Sequence, residues 1–244
     1  MRRTILFLLL IFLAESTFAK QAQMPIDYHV EAVQFRINDS LNIAEIYFGI
    51  PRGSLAFVRG DSLLEATFEI TVRITKDDRE LANYSWRSGS VADSLEQIRS
   101  SQTLFSMTSF QMKAGHYFVE TTVQDLNGPA KGIKNFNLTI QPYPAGGLVL
   151  SEIELAASLK RDNTPGKFQK NGYQIIPNPR AMYGDGLPIL MFYAEIYNLA
   201  YPADTTYCVR YRITDASGDT VKTFPEKVQP IAGNSLVEAG GFNS

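Results

Sequence analysis

Phe68-Glu69-Ile70-Thr71-Val72-Arg73-Ile74-Thr75 decides the fold. Phe68, Ile70, Val72 and Ile74 fall on one side of an extended chain and Glu69, Thr71 and Arg73 on the other. That is the period-two pattern of a half-buried β-strand. The pattern returns in Tyr207-Cys208-Val209-Arg210-Tyr211-Arg212-Ile213-Thr214, where Tyr207, Val209, Tyr211 and Ile213 form the apolar side. It is followed by the turn residues Asp215-Ala216-Ser217-Gly218-Asp219. The offset of about 139 residues marks an internal repeat of one sandwich-sized unit.

Around the first copy, strands are predicted over His29–Ile37, Ile43–Ile50, Leu81–Trp86, Leu104–Met112, His116–Leu126 and Gly132–Gln141. With the Phe68 strand these suit an antiparallel Greek-key sandwich of the immunoglobulin-like type better than any α/β plan. One short surface helix is expected where Val91, Leu95 and Ile98 recur at helical spacing behind Ser90, a residue suited to capping. Gly115-His116-Tyr117 has the look of a tyrosine corner, in which the phenol ties down a backbone carbonyl.

Gln141-Pro142-Tyr143-Pro144-Ala145-Gly146-Gly147 breaks the strand pattern, so a domain boundary is placed there. The expected units are a first sandwich over 26–142 and a second over 148–244. In the second, strands are predicted over Val149–Leu159, Tyr173–Ile176, Ile189–Leu199, Thr206–Thr214 and Thr220–Val228. Measured against the first copy, two strands and roughly 30 residues have no counterpart, so the second sandwich is expected to be incomplete and open to pairing with another chain.

The start of the chain, Met1 to Ala19, combines Arg2 and Arg3, an apolar run from Ile5 to Leu13, and Thr17-Phe18-Ala19. This is the three-part pattern of a secretory signal peptide, with an apolar run about half the ~20 residues a spanning helix needs. The lone Cys208 rules out a disulfide framework within one chain, and suits a bacterial periplasm or outer surface. Net charge is −2 and no basic stripe occurs, which argues against nucleic acid as a partner.

Four stretches carry a family resemblance: Tyr47-Phe48-Gly49-Ile50-Pro51, Leu150 to Ala156, Ile176-Pro177-Asn178-Pro179, and Phe192 to Leu199. Together they resemble the amino-terminal region of bacterial GWxTD-domain proteins, and the likeness extends over most of the chain after residue 19. The resemblance implies a signal peptide and β-sandwich modules ahead of a carboxy-terminal domain named for a Gly-Trp-x-Thr-Asp motif. The sole tryptophan here is Trp86, in the first sandwich, and no Gly-Trp pair occurs. The chain is therefore expected to be the front part of a longer protein of that type.

Residues suited to catalysis are scarce. His29 and His116 lie on predicted strands, Ser88-Gly89-Ser90 lacks the context of a nucleophile elbow, and Cys208 has no neighbouring base. Asp215 with Asp219 and Asp204, and Asp77-Asp78, read as turns before they read as calcium ligands. No metal, cofactor or catalytic residue is assigned, although a carboxylate pair such as Glu152 with Glu195 could meet in space. The least ordinary feature is a strand aromatic on both faces, with Phe192, Tyr193 and Tyr197 followed by Tyr201 and preceded by Tyr183. Tyr193, Tyr197 and Tyr201 offer a partner or glycan surface, unless that face packs on the first unit. The expected function is a noncatalytic interaction or scaffold segment of the cell envelope. Its partner would be an envelope protein or the remainder of a longer chain, with a carbohydrate-binding module as the alternative.

Overall fold

In the computed structural model, which describes residues 25–184, 186–199 and 205–243, the alternating residues of the Phe68 strand all point into one core. The signal segment expected over residues 1–19 lies outside the described residues. The strands up to residue 140 are β1 (His29–Arg36), β2 (Asn42–Pro51), β3 (Val58–Arg59), β4 (Leu64–Lys76), β5 (Arg79–Ala92), β6 (Thr103–Met112), β7 (Gly115–Asp125) and β8 (Lys131–Ile140). They form two antiparallel sheets, β1-β2-β6 and β3-β4-β7-β8, with β5 on the other side of β4. Phe68, Ile70, Val72 and Ile74 of β4 and Val119 and Val123 of β7 pack on Ala44, Ile46, Phe48 and Ile50 of β2. This is a two-layer antiparallel sandwich.

The remaining strands are β9 (Val149–Leu150), β10 (Glu154–Arg161), β11 (Gln169–Lys170), β12 (Tyr173–Pro177), β13 (Ile189–Tyr197), β14 (Thr206–Val209), β15 (Arg212–Thr214), β16 (Thr220–Thr223), β17 (Lys227–Pro230) and β18 (Ser235–Asn243). One sheet runs β11-β12-β10-β13-β18, with β9 also pairing with β13. A long hairpin supplies the pairs β14-β17 and β15-β16.

The internal repeat is visible in this topology. The path β10-β13-β18 reproduces β1-β2-β6, and its central strand carries the same four residues, Ala194-Glu195-Ile196-Tyr197, as Ala44-Glu45-Ile46-Tyr47 in β2. The hairpin from β14 to β17 stands for the hairpin of β4 and β5. Its arms are interrupted where β4 and β5 are continuous, because Pro225 brings no N–H to the ladder. Among the described residues, no strand of the second copy takes the place of β7 and β8.

β18 is a strand the sequence pattern did not announce, since Gly240-Gly241 is a poor strand former. Close packing accounts for both glycines. A Cβ at residue 241 would stand 2.7 Å from Ile189 Cγ2, and one at residue 240 would sit against the Phe192 ring. The helix expected around Val91, Leu95 and Ile98 is not formed. Val91 belongs to β5, and only Leu95–Gln97 makes one 3₁₀ turn. Arg52 explains this, because its guanidinium takes the carbonyls of Val91 and Gln97 and the Ser90 hydroxyl, the groups a helix would have used. The Tyr117 hydroxyl donates to the Lys113 carbonyl at 2.8 Å, as in a tyrosine corner.

A tight spot in the first core gives a direct test. A Cβ at Gly132 would lie 2.1 Å from the Ile26 carbonyl oxygen and 2.8 Å from the Tyr28 ring. Gly132→Ala is expected to lower unfolding stability by roughly 2–4 kcal/mol, measured by urea denaturation at fixed pH.

Candidate functional site

The sheet β1-β2-β6 is covered on both faces. One face meets the first core. The other carries Val33, Phe35 and Tyr47 against Ala156, Ile175 and Tyr193 of the second copy. Strand alternation makes this possible, because Ala44 and Ile46 turn one way while Glu45 and Tyr47 turn the other. The second copy does the same with Ala194 and Ile196 against Glu195 and Tyr197, so equivalent faces meet.

A charged group sits inside this junction. Lys170 Nζ lies 2.6 Å from Glu45 Oε2 and 2.6 Å from Glu154 Oε2, and 3.1 Å from the Tyr47 hydroxyl, which itself donates to Glu45. The contact to Glu154 is an ion pair without hydrogen-bond alignment. Nζ also lies 3.8 Å from the centroid of Phe35 and 4.8 Å from that of Tyr193, a cation–π arrangement. Burial pushes the Glu154 carboxyl up, and the Lys170 charge pulls against that. Glu31 lies nearby with no cation. Burial, then the charges of Glu154 and Glu152, push it up to about 7, and its buried Oε2 has no partner.

The partner or glycan surface expected at Tyr193, Tyr197 and Tyr201 is corrected here. Tyr193 is 0% and Tyr197 4% exposed, so neither ring can stack on a sugar in solvent. The Tyr193 hydroxyl donates to Glu195 at 2.6 Å, and its ring meets Phe35 edge-on. The Tyr197 hydroxyl contacts Glu195 Oε2 at 2.8 Å and accepts the Arg36 N–H at 3.0 Å. Both face β1, where Tyr193 packs on Val33 and Phe35 and Tyr197 reaches the Arg36 backbone. Tyr201 lies outside the described residues. Tyr183, between the carbonyls of Ala156 and Met191, is also structural. The 141–147 segment is pinned as well, with the Tyr143 hydroxyl on the Gln34 carbonyl and its ring against Tyr197.

The opposite face of β13 opens on a different environment. Leu155, Phe192, Ala194 and Ile196 line one wall of a groove of about 300 Å³, and Val209, Tyr211 and Ile213 of the hairpin form the other. Tyr207, Val209, Tyr211 and Ile213 are half-buried, while their repeat equivalents Phe68, Ile70, Val72 and Ile74 are at most 1% exposed. Leu150 and Ile153 at the mouth are 53% and 51% exposed. Glu238 of β18 points in and accepts from Tyr207 at 2.8 Å and Tyr211 at 2.6 Å, where β6 has Phe110 in register with Ala44. Burial, with the Glu238 carboxylate adding to it, pushes Tyr207 up to about 12.

The remaining sequence candidates fall into structural roles. His116 contacts the Thr139 hydroxyl at 3.0 Å, and burial holds His29 below its usual value. Asp77 and Asp78 form the positive-φ turn between β4 and β5, and Asp215 Oδ1 accepts the N–H groups of Ser217 and Asp219. Glu152 binds Gln34, whereas Glu195 binds Tyr193, Tyr197 and Asn171, so the two carboxylates serve separate networks. Cys208 is exposed, and hydrogen bonding to Glu226 pushes its thiol up, away from nucleophilic use. Among the described residues no group of three metal-ligand side chains occurs, and no helix is long and apolar enough to cross a membrane. The sequence alone had not singled out Lys170, Glu31 or Glu154, which no linear motif brings together.

Two outcomes test the junction. Lys170→Met leaves Glu45 and Glu154 without their cation and is expected to cost roughly 3 kcal/mol of stability in urea unfolding. Glu31 holds its proton more tightly when folded, at about 7 against an ordinary 4.5, so its contribution weakens as pH rises from about 4.5 through 7. Glu31→Gln should therefore stabilise the protein at pH 8 by roughly 1–2 kcal/mol, after allowance for partial solvation, and change it little at pH 4. No protein-family model matches the chain, and no curated protein matches it.

Proposed function

We propose that the chain is a noncatalytic interaction or scaffold segment of a secreted bacterial cell-envelope protein, akin to the front part of GWxTD-type proteins, and that the groove beside β13 is its contact surface. One observation carries this reading. The repeat places four inward-facing residues of the first copy in a dry core, and their equivalents Tyr207, Val209, Tyr211 and Ile213 at a half-open one. Apolar surface left next to solvent in an otherwise ordered sandwich is the usual mark of an interaction site. Tyrosine suits such a wall because its ring is apolar while its hydroxyl tolerates water. The glycan alternative has lost its platform with the burial of Tyr193 and Tyr197.

The test is site-specific cross-linking in the cell that makes the protein. A photoreactive residue at Ile213 is expected to give a discrete adduct, and one at the exposed Arg87 of β5 none. Equal labelling at both positions, or none at either, removes the groove as the contact surface.

A further inference from the structure

We infer that the cavity at the end of the junction between the two copies binds a small organic anion, its carboxylate or phosphoryl group held by Arg180 and His29 and its apolar body lying against Phe105 and Met182. The inference is independent of the groove beside β13.

The cavity is built from the junction sheet of the first copy and a loop of the second. His29 of β1, Gly49 of β2 and Phe105 of β6 stand in one row across the sheet, in the register His29↔Gly49 and Gly49↔Phe105. Directly opposed residues share a face, so this row extends the face that carries Val33 and Tyr47 into the junction. What covers the row is the chain between β12 and β13, which is loop rather than strand. The space enclosed is about 590 Å³, inside the roughly 300–1,000 Å³ of small-molecule sites. The central residue of the row is a glycine. A Cβ there would lie 3.1 Å from Pro179 Cγ and 3.3 Å from Thr103 Cγ2, where the loop meets the cavity floor.

The charge of this space is one-sided. Arg180 and His29 line it, and none of its described lining residues is acidic. Arg180 is exposed and forms no ion pair among the described residues. Burial, then the charges of Lys134 and Arg180, hold His29 below its ordinary value, and Asp27 opposes them. Asp27 itself is largely exposed and paired with Lys134. Glu31, two residues along the same face of β1, acts on the Tyr183 phenol, and Asp185 lies outside the described residues. A bound anion relieves the two basic groups together. The guanidinium offers a planar fork of N–H donors matched to two oxygens, and a protonated imidazole adds another. Phe105, Met182 and Leu187 supply an apolar wall for the rest of the molecule.

The loop that carries Arg180 is held under strain. Ala181 has a φ of 51°, a left-handed conformation that a residue with a Cβ rarely adopts. Asn178, 5% exposed, keeps it there. Its carbonyl accepts the Ala181 N–H at 2.8 Å, and its side-chain amide donates to the Met182 carbonyl at 3.0 Å. Strain maintained by a buried side chain is characteristic of ligand clamps, and here it fixes the backbone on either side of Arg180.

The test titrates benzoate, phenyl phosphate, inorganic phosphate and neutral benzyl alcohol into the full chain at pH 6, followed by amide NMR shifts. Saturable shifts at Gly49, Phe105 and Ala181 are expected with benzoate or phenyl phosphate, the tighter of the two naming the head group. Inorganic phosphate should bind about tenfold more weakly than phenyl phosphate, the least that burying a ring contributes. Arg180→Gln should weaken binding about tenfold, the size of one charge-assisted hydrogen bond. Arg180 is exposed, so this change leaves the core untouched. The His29 ring resonances should titrate at higher pH with benzoate bound than without it. No saturable binding, shifts away from the cavity, equal binding of benzyl alcohol, indifference to Arg180→Gln, or an unmoved His29 titration overturns the inference.

Discussion

Everything in this molecule depends on one sheet, β1-β2-β6, being buried on both faces. A strand in that position cannot afford a solvent side, and Ile46 through Ile50 of β2 are accordingly all buried. Its two faces differ in chemistry. Ala44, Ile46 and Phe48 meet an apolar core, whereas Glu45 and Tyr47 meet a junction rich in hydroxyls and carboxylates. Burying ionised groups is unfavourable unless they are paired, and Lys170 meets that condition for Glu45 and Glu154 together. Such a junction fixes orientation as well as contact, because its hydrogen bonds have direction where apolar packing has little.

Glu31 shows the limit of that solution. It faces the same junction without a cation of its own, beside two further carboxylates. The cheapest way to keep it there is to leave it protonated, which ties the junction to pH in the neutral range. The direction is set by burial, and the like charges of Glu154 and Glu152 add to it.

Local alternation made much of the architecture legible. The β4 pattern named its own core residues, the Pro–Gly run at 141–147 marked the pause between the copies, and the offset between Phe68 and Tyr207 exposed the repeat. What escaped was decided by long-range contacts. Val91, Leu95 and Ile98 fit helical spacing, but Arg52, distant in sequence, claimed the carbonyls. Gly240 and Gly241 argued against a strand, yet β13 needs them small. Tyr193 and Tyr197 were open between packing on the first unit, the favoured reading, and a partner or glycan surface, because a strand sequence does not say which of its faces another sheet will cover. Lys170, Glu45 and Glu154 come from three separate strands, and no spacing rule joins them.

The two copies divide stability unequally, and this bears on why an open groove can persist. Moving a large apolar side chain from water to a dry core is worth roughly 1.5–3 kcal/mol. Tyr207, Val209, Tyr211 and Ile213, half-buried, forgo part of that gain, which β4 takes in full. Glu238, itself only 8% exposed, softens the loss by accepting hydrogen bonds from two of the phenols, which satisfy its buried carboxylate. The hairpin alone is a marginal structure. The sheet behind it is held from its other face by Tyr193, Tyr197 and the Lys170 cluster, so the first copy supplies order that the second copy's own core does not. A surface held from behind in this way loses less conformational freedom when a partner docks on it, and that preorganisation favours binding.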